Sequence, residues 1–339
     1  MKEKNIIDKL EEAGLVGRGG AGYPTFRKWG AVKKALKSES SGYIVINGAE
    51  GEPRVKKDGF LLANKGKDVI NGVYLAYKFL GVKKIKKVYF FLKKEYYKKY
   101  GNELKEIFEL SKYKGLAKKV EFVIKPEHPS YICGEETAII NIIEGKRIEP
   151  SLKPPFPSES GINGKPTLIN NVETLYDVSL INRNEYRGER LYTLAGAVSV
   201  RGVFSLPAHE STENILKATN NYPDFDFFVV IGGEVCGEAL NKKQLQAPVE
   251  GSGLVMVYDK KKVNERKLLE HWFKFYRQES CGQCSACREG SYRLQEMYSK
   301  PKYDKQLFSD LLTNLEESSL CALGSSLPKI VNSYLENIY

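Results

Sequence analysis

The chain has 339 residues, of which 42% are hydrophobic and 28% charged, and it carries a formal net charge of +11. This length holds two or three cores, and the composition excludes disorder as the default state. No apolar run reaches 18 residues, which excludes a helical membrane span, and the amino terminus MKEKNIIDKLEEAGLVG alternates charge with apolar residues, unlike a secretory leader, so the cytoplasm is the expected compartment.

Residues 1–37 predict a helix over IIDKLEEAGL, a glycine-rich loop from Gly17 to Gly22 and a second helix from near Thr25. The apolar run Tyr43–Ile46 predicts a buried strand that ends at Asn47-Gly48. Helical periodicity over 68–80, a strand at Val88–Leu92, a helix from about Lys94 to Leu110 and a strand at Val120–Ile124 follow. Strands alternating with helices predict a layered α/β domain that binds ligands near the strand carboxyl ends. From Tyr131 to Leu175 a helix over Glu136–Glu144 leads into the loop KPPFPSESGINGKPT, and irregular loops of that length are usually functional. The runs LYTLAGAVS, FFVVIGG and GLVMVY within 190–260, with a helical stretch near Glu213–Thr219, predict a small β-rich module. From about Glu265 the pattern is helical.

Six cysteines are present: Cys133, Cys236, Cys281, Cys284, Cys287 and Cys321. Three fall within seven residues, in ESCGQCSACREG, a spacing suited to metal ligation rather than structural disulfides. Thiolates at Cys281, Cys284 and Cys287 can hold three corners of an iron–sulfur cube while Cys321 closes the fourth. Zinc also takes four thiolates, but through paired CxxC knuckles, and buried unligated thiols are the third option. Cys133, among aliphatics, and Cys236, without a partner spacing, read as packed small side chains. The segment from Gly17 to Thr25 (GRGGAGYPT) lets backbone N–H groups approach an anion before a helix start, or serves only as a turn; it matches neither the dinucleotide fingerprint nor the P-loop. The lysine-rich stretch Lys83–Lys99 is either a docking face for an acidic partner or a solvated surface. No nucleic-acid motif accompanies it, so nucleic acid is not expected as a partner.

Nearly the whole chain carries, in order, GRGGAGYPT…KW, NGAEGEP…KD, YICGEET, KPPFP…GKPTLINNVETL, ESCGQCSACREG and the late Cys321. This ordered set resembles the NADH-oxidising, FMN-containing subunit of respiratory complex I and the diaphorase subunits of NAD-linked hydrogenases and formate dehydrogenases. The resemblance implies an α/β flavin and NADH domain over 1–185, a ubiquitin-like β-grasp insert over 186–260 and a helical bundle over 261–339 carrying a [4Fe-4S] cluster. By position, Gly17, Arg18, Gly19, Gly20, Ala21, Gly22 and Tyr23 would line the nucleotide site beside the flavin. Lys28 and Asn47 would help hold FMN, with Asn170, Asn171 and Thr174 near its ribityl and phosphate groups. Glu50 and Glu136 would flank the reacting nicotinamide and are the catalytic candidates. Glu52 would border the ribose, and Tyr131, Gly134 and Glu135 of YICGEET complete the cofactor set. Lys153 would meet the NADH phosphates or ribose, while Phe156 and Tyr23 stack on adenine. Cys281, Cys284, Cys287 and Cys321 would ligate the cluster.

The implied activity is hydride transfer from NADH to FMN followed by single electrons to the cluster; the cofactor carries that chemistry and the protein orients it. Because fused [2Fe-2S] and ferredoxin domains of some relatives are absent from this sequence, a thioredoxin-like [2Fe-2S] subunit and a larger redox complex are the expected partners. That complex would be hydrogenase, formate dehydrogenase, complex I-like or electron-bifurcating, with this subunit in the cytoplasm or on the cytoplasmic face of a membrane assembly. Two departures touch the pocket. Ala49 precedes Glu50 where the family has an acidic residue, which makes Ile46–Glu50 similar to the C subunit of the Rnf ferredoxin:NAD oxidoreductase complex. Glu127-His-Pro-Ser130 replaces a glycine-rich approach to YICGEET. They motivate the alternative function, a non-catalytic iron–sulfur electron-transfer or scaffold subunit that has lost nucleotide binding.

Overall fold

In the computed structural model, which describes residues 5–339, helices and strands alternate through the first half of the chain. The elements are α1 (Ile6–Glu12), α2 (Thr25–Ala35), β1 (Gly42–Gly48), α3 (Lys57–Asn64), α4 (Gly66–Leu80), β2 (Ile85–Leu92), α5 (Lys94–Glu109), α6 (Lys114–Ala117), β3 (Val120–Ile124), α7 (Glu136–Ile143), β4 (Thr167–Asn171) and α8 (Val172–Asn182). Then come β5 (Glu189–Gly196), β6 (Gly202–Pro207), α9 (Thr212–Ala218), β7 (Phe227–Ile231), β8 (Glu238–Leu240), β9 (Leu254–Asp259) and four long helices, α10 (Glu265–Glu279), α11 (Ser285–Tyr298), α12 (Lys305–Ser318) and α13 (Ala322–Asn337). Two compact units form. The first takes residues up to 50, 56–127 and 133–190; the second takes 51–55, 128–132 and 191 onward.

The first unit is built on a four-stranded sheet in the order β3-β2-β1-β4, parallel throughout. Its central strands read as unbroken apolar runs because a parallel sheet covered on both faces buries both sides of each strand: Tyr43, Ile44, Val45 and Ile46 of β1 are all buried. β2 and β3 extend to one side of β1, and β4 returns on the other. The reversal of strand order between β1 and β4 opens a crevice at their carboxyl ends, the usual ligand position in open α/β sheets. Asn47 stands opposite Asn171 there. Behind the sheet α4 and α8 meet at the backbone: a Cβ on Gly72 would lie 1.9 Å from the Leu175 carbonyl oxygen, so only glycine permits the contact.

The second unit holds a five-stranded sheet in the order β6-β5-β9-β7-β8. β5 and β9 run parallel, while β7 is antiparallel to both β8 and β9. Counted from its own first strand the order is two, one, five, three, four, the β-grasp arrangement. Ile215 and Leu216 of α9 join Tyr192, Phe227, Val229 and Val257 in its core. The helices α10–α13 pack on aromatic residues, with Phe273 edge-on to both Tyr298 and Phe308. α13 is tied to β8, Ser333 accepting from the Ala239 N–H at 3.0 Å and Asn337 donating to the Ala239 carbonyl at 2.8 Å. Among the described residues no helix is long and apolar enough to cross a membrane.

Candidate cofactor sites

The crevice of the first unit is assembled from strand ends, helix starts and one glycine loop. Asn47 closes β1: its amide donates to the Gly134 carbonyl at 3.0 Å, and its Oδ1 accepts the Ala49 N–H at 3.1 Å. Asn171 closes β4 and caps α8, accepting from the Glu173 N–H at 2.9 Å. The neighbouring Asn170 faces away from it and accepts the Trp29 indole N–H at 2.9 Å. Gly19, Gly20, Ala21, Gly22 and Tyr23 form an exposed loop ahead of α2. Gly20 and Gly22 adopt φ of 116° and 62° with no atom within 4 Å of where a Cβ would stand, an open backbone cradle. Gly17 opens the loop, its N–H donating to the Tyr23 carbonyl at 2.9 Å. Arg18 anchors it: the backbone N–H donates to Thr174 Oγ1 at 2.9 Å, and the buried guanidinium pairs with Asp177 at 3.1 Å.

The charged candidates form short-range pairs. Lys28 pairs with Glu136 and also reaches the Ile169 carbonyl at 3.4 Å. Lys153 pairs with Glu135 at 2.7 Å, while the same Glu135 caps α7 by accepting the Thr137 and Ala138 N–H groups. Glu50 accepts from the Asp58 N–H at 2.7 Å and from the Tyr96 hydroxyl. Its φ of 35° is left-handed, a conformation that costs a non-glycine residue roughly 1–3 kcal/mol and gathers at functional sites. Tyr23 and Phe156 expose 49% and 52% of their surface, enough to offer a ring face to a ligand.

Beneath the crevice lies a buried charge network not singled out from the sequence. Lys57 pairs with Asp58 at 2.8 Å and Glu173 at 3.0 Å, all three nearly inaccessible. Asn171 donates to Asp58 at 2.7 Å, which ties the network to the end of β4. Burial, against the opposing charge of Lys57, pushes the Asp58 carboxyl up to about 6. Burial and the charge of Glu173 push Asp177 up to about 8. Arg18 and Lys57 supply two positive charges against Asp58, Glu173, Asp177 and the adjoining Glu50, so the carboxylates outnumber the cations. Its trace in the sequence is Lys57-Asp58 at the end of NGAEGEP…KD, with Glu173 and Asp177 one turn apart on a helix whose buried face is otherwise largely apolar.

Glu52 and Tyr131 fall in the second unit, where they meet. Glu52 accepts from the Tyr131 hydroxyl at 2.9 Å, the Cys236 thiol at 3.0 Å and the Val235 N–H at 3.1 Å. Burial holds the Glu52 carboxyl above its ordinary range and pushes the Cys236 thiol beyond reach of neutral pH. Cys236 is thus one wall of a carboxylate clasp, whereas Cys133 is fully buried in the apolar cluster of Tyr43, Val45 and Ile169.

The remaining four cysteines lie where two helices begin. Cys284 occupies the cap position of α11, Cys287 its first turn, and Cys321 the cap position of α13. Burial pushes the Cys287 thiol up to about 11, and Cys284, Cys321 and Cys281 are all near enough to add to the effect. A Cβ on Gly324 would sit 2.2 Å from Ser319 Oγ and 3.0 Å from Cys287 Cβ, so glycine is what lets α13 start beside α11. Arg288 fastens the intervening loop by donating to the Gly282 carbonyl at 2.8 Å. Among the described residues no three His, Cys, Asp or Glu side chains converge on a point that one ion could occupy. The four thiols that influence one another here match a [4Fe-4S] cube's demand for one thiolate at each of its four iron corners, so the donor set fits that group. A groove of about 480 Å³, lined by Cys284, Glu289, Arg293, Leu311 and Leu320, runs alongside.

A parallel α/β unit with a switch-point crevice, on the same chain as four thiols at two helix starts, defines a nucleotide-fold iron–sulfur protein. The family model for the Nuo51 FMN-binding domain matches residues 10–180, and that for the NADH-ubiquinone oxidoreductase-F iron-sulfur binding region matches 267–338. The F subunit of the NADH-quinone oxidoreductase of Aquifex aeolicus is 30% identical over 99% of this chain and 84% of its own length. Its Escherichia coli counterpart is 32% identical over 84% of this chain and 70% of its own. The NADP-reducing hydrogenase subunit HndC of Solidesulfovibrio fructosivorans is 30% identical over 99% and 75%. Among solved structures, an NAD+-reducing [NiFe]-hydrogenase in the H2-reduced state superimposes with a TM-score of 0.86 at 26% identity. It covers 98% of this chain, which spans 60% of the hydrogenase chain. The chain therefore belongs to the family of the NADH-quinone oxidoreductase F subunit, as an oxidoreductase component whose cofactors are FMN and a [4Fe-4S] cluster.

Proposed function

We propose that the chain oxidises NADH and feeds the electrons singly to a partner subunit. The observation that supports this most is the pairing, on one polypeptide, of the switch-point crevice with the four-thiol set. FMN supplies hydride acceptance as an electron pair and one-electron release, which the cluster takes up when both are bound. The protein's part is to bind and orient. Lys28, Asn47, Asn170, Asn171 and Thr174, with the Gly17–Tyr23 loop, would hold the flavin; Glu50 and Glu136 would flank the nicotinamide; Lys153, Tyr23 and Phe156 would hold the rest of NADH. Glu52, bordering the ribose, and Tyr131 complete the proposed cofactor set. The division into a flavin and NADH domain (1–185), a β-grasp domain (186–260) and a cluster domain (261–339) is part of the same proposal.

A larger redox complex is the proposed setting, with a thioredoxin-like [2Fe-2S] subunit receiving electrons near the groove at Cys284, on the cytoplasmic side. Ala49 speaks for the catalytic reading over the scaffold. Its side chain is buried in the apolar cluster and its carbonyl accepts from Lys125 at 3.2 Å, so the exchange alters local charge while leaving the crevice built. The test is anaerobic protein loaded with FMN and mixed with NADH. Flavin bleaching with loss of the iron–sulfur absorbance, and steady ferricyanide reduction, are expected. A flavin that binds and stays oxidised would leave the scaffold role instead.

A further inference from the structure

Nearly all the net charge of this protein resides on one stretch. Residues 78–119 contain 14 lysines, no arginine and four acidic residues, a net +10 of the chain's +11. The structure divides this stretch in two. Lys93, at the cap of α5, and the helix itself hold five of the lysines against Glu95, Glu103, Glu106 and Glu109, so that half is close to neutral. The other nine, Lys78, Lys83, Lys84, Lys86, Lys87, Lys112, Lys114, Lys118 and Lys119, stand at the end of α4, at the start of β2 and around α6, with no acid among them in sequence.

These segments adjoin in space. Lys119 donates to the Val82 carbonyl at 2.8 Å and lies over the Tyr77 ring at 5.4 Å. Four of the nine have internal partners: Lys84 at the Glu39 carbonyl, Lys87 with Glu121, Lys112 at Asn71 and Lys119 at Val82. Lys78, Lys83, Lys86, Lys114 and Lys118 are exposed, and their ammonium groups find no acid or carbonyl among the described residues. α2 extends the patch, since Lys33 donates to the Phe79 carbonyl at 2.7 Å and brings exposed Lys34 and Lys37 alongside.

The patch occupies the amino ends of parallel strands, the end of the sheet opposite the cofactor crevice, so it is not part of the nucleotide site. Helix-end stabilisation and edge-strand protection account for the lysines with internal partners. They do not account for five unpaired ammonium groups gathered within one unit, whose mutual repulsion opposes folding. We propose that this face docks a protein partner through a carboxylate-rich surface. Lysine without arginine suits that occupant: compact point charges meet scattered carboxylates, whereas phosphate recognition draws on arginine's bidentate fork. Between Lys78 and Lys119 the exposed large apolar side chains are Val82 and Leu110, which leaves little to insert into a lipid surface.

The test uses the native assembly purified through this chain at low ionic strength. Carbodiimide coupling, which joins lysine amines to carboxylates, should link Lys83, Lys86, Lys114 or Lys118 to aspartates or glutamates of one neighbouring subunit. The same amines should acetylate more slowly in the assembly than in the isolated chain. A K83E/K86E/K118E variant should keep ferricyanide reduction and associate with that subunit at least about tenfold more slowly at low salt, the lower bound of electrostatic steering. Equal acetylation in both states, links confined to Lys98 and Lys99 of α5, or retention by phosphatidylglycerol vesicles or a DNA duplex in place of a protein would overturn the proposal.

Discussion

Replacing Lys57 with methionine tests whether the buried network holds the crevice together. Methionine keeps most of the side-chain volume and deletes the one cation that both Asp58 and Glu173 share, at 2.8 and 3.0 Å. Removing one partner of a buried ion pair costs about 3–5 kcal/mol, because the remaining charge is stranded in a low-dielectric site. Here two carboxylates are stranded, and Asp58, which burial pushes up to about 6 even with Lys57 beside it, rises further once that cation is gone, so its protonation absorbs a growing part of the loss as the pH falls. A decrease of about 3 kcal/mol at pH 7, shrinking toward pH 5, is therefore expected from urea unfolding. Asn171 holds Asp58 at 2.7 Å while capping α8, so FMN retention should weaken in parallel. The triple change K57M/D58N/E173Q should recover much of the stability, since it strands no charge. A K57M protein within about 1 kcal/mol of the parent at pH 7 would refute this, as that is the scale of an exposed pair.

Gly72→Ala places a Cβ 1.9 Å from the Leu175 carbonyl oxygen and should destabilise the first unit by about 2–3 kcal/mol, the upper part of the overpacking range, since backbone cannot step aside. Gly30→Ala, in α2 with nothing within 4 Å, should instead gain about 0.5–1 kcal/mol; equal effects from the two would show that helix propensity, and not the α4–α8 contact, governs both. Cys321→Ser should lose cluster iron in reconstituted protein, whereas Cys133→Ser and Cys236→Ser should keep it; iron and sulfide analysis reads all three, and an intact cluster in Cys321→Ser would remove that ligand. Stability should also fall as pH rises. Asp58 and Asp177 are pushed up to about 6 and 8, so above the ordinary aspartate range near 3.8 the folded state holds protons that the unfolded state has released. Unfolding free energy should decline through pH 6 and level off above pH 8, and Asp177→Asn should flatten the pH 6–8 part; a parallel decline in both proteins would assign it elsewhere.

Much of the first unit was legible in the sequence because parallel buried strands announce themselves as short apolar runs. β3 matches its expected bounds, and Val88–Leu92 is the buried body of β2, which begins three residues earlier. α3 is not legible in the sequence, since half of its eight residues are Lys57, Asp58, Gly59 and Asn64, two of them charges that are buried only because Glu173 waits more than a hundred positions away. β4 was hidden at the tail of the Pro/Gly-rich stretch: Thr167–Asn171 is more than half polar, and only pairing with β1 makes it a strand.

By itself the sequence determined what depends on local order: the alternation of elements, the cysteine spacing with its remote fourth member, and the order of motifs that marks the family. The tertiary structure alone decided what depends on distance across the fold. It set Asn47 opposite Asn171, buried Glu52 against Cys236, turned Lys57 from a surface-type residue into the centre of a network, and separated a neutral α5 from an unbalanced basic face within one lysine-rich run. Periodicity and spacing are properties of neighbours along the chain. Burial and charge balance belong to neighbours in space, and the chain brings those together only once it has folded.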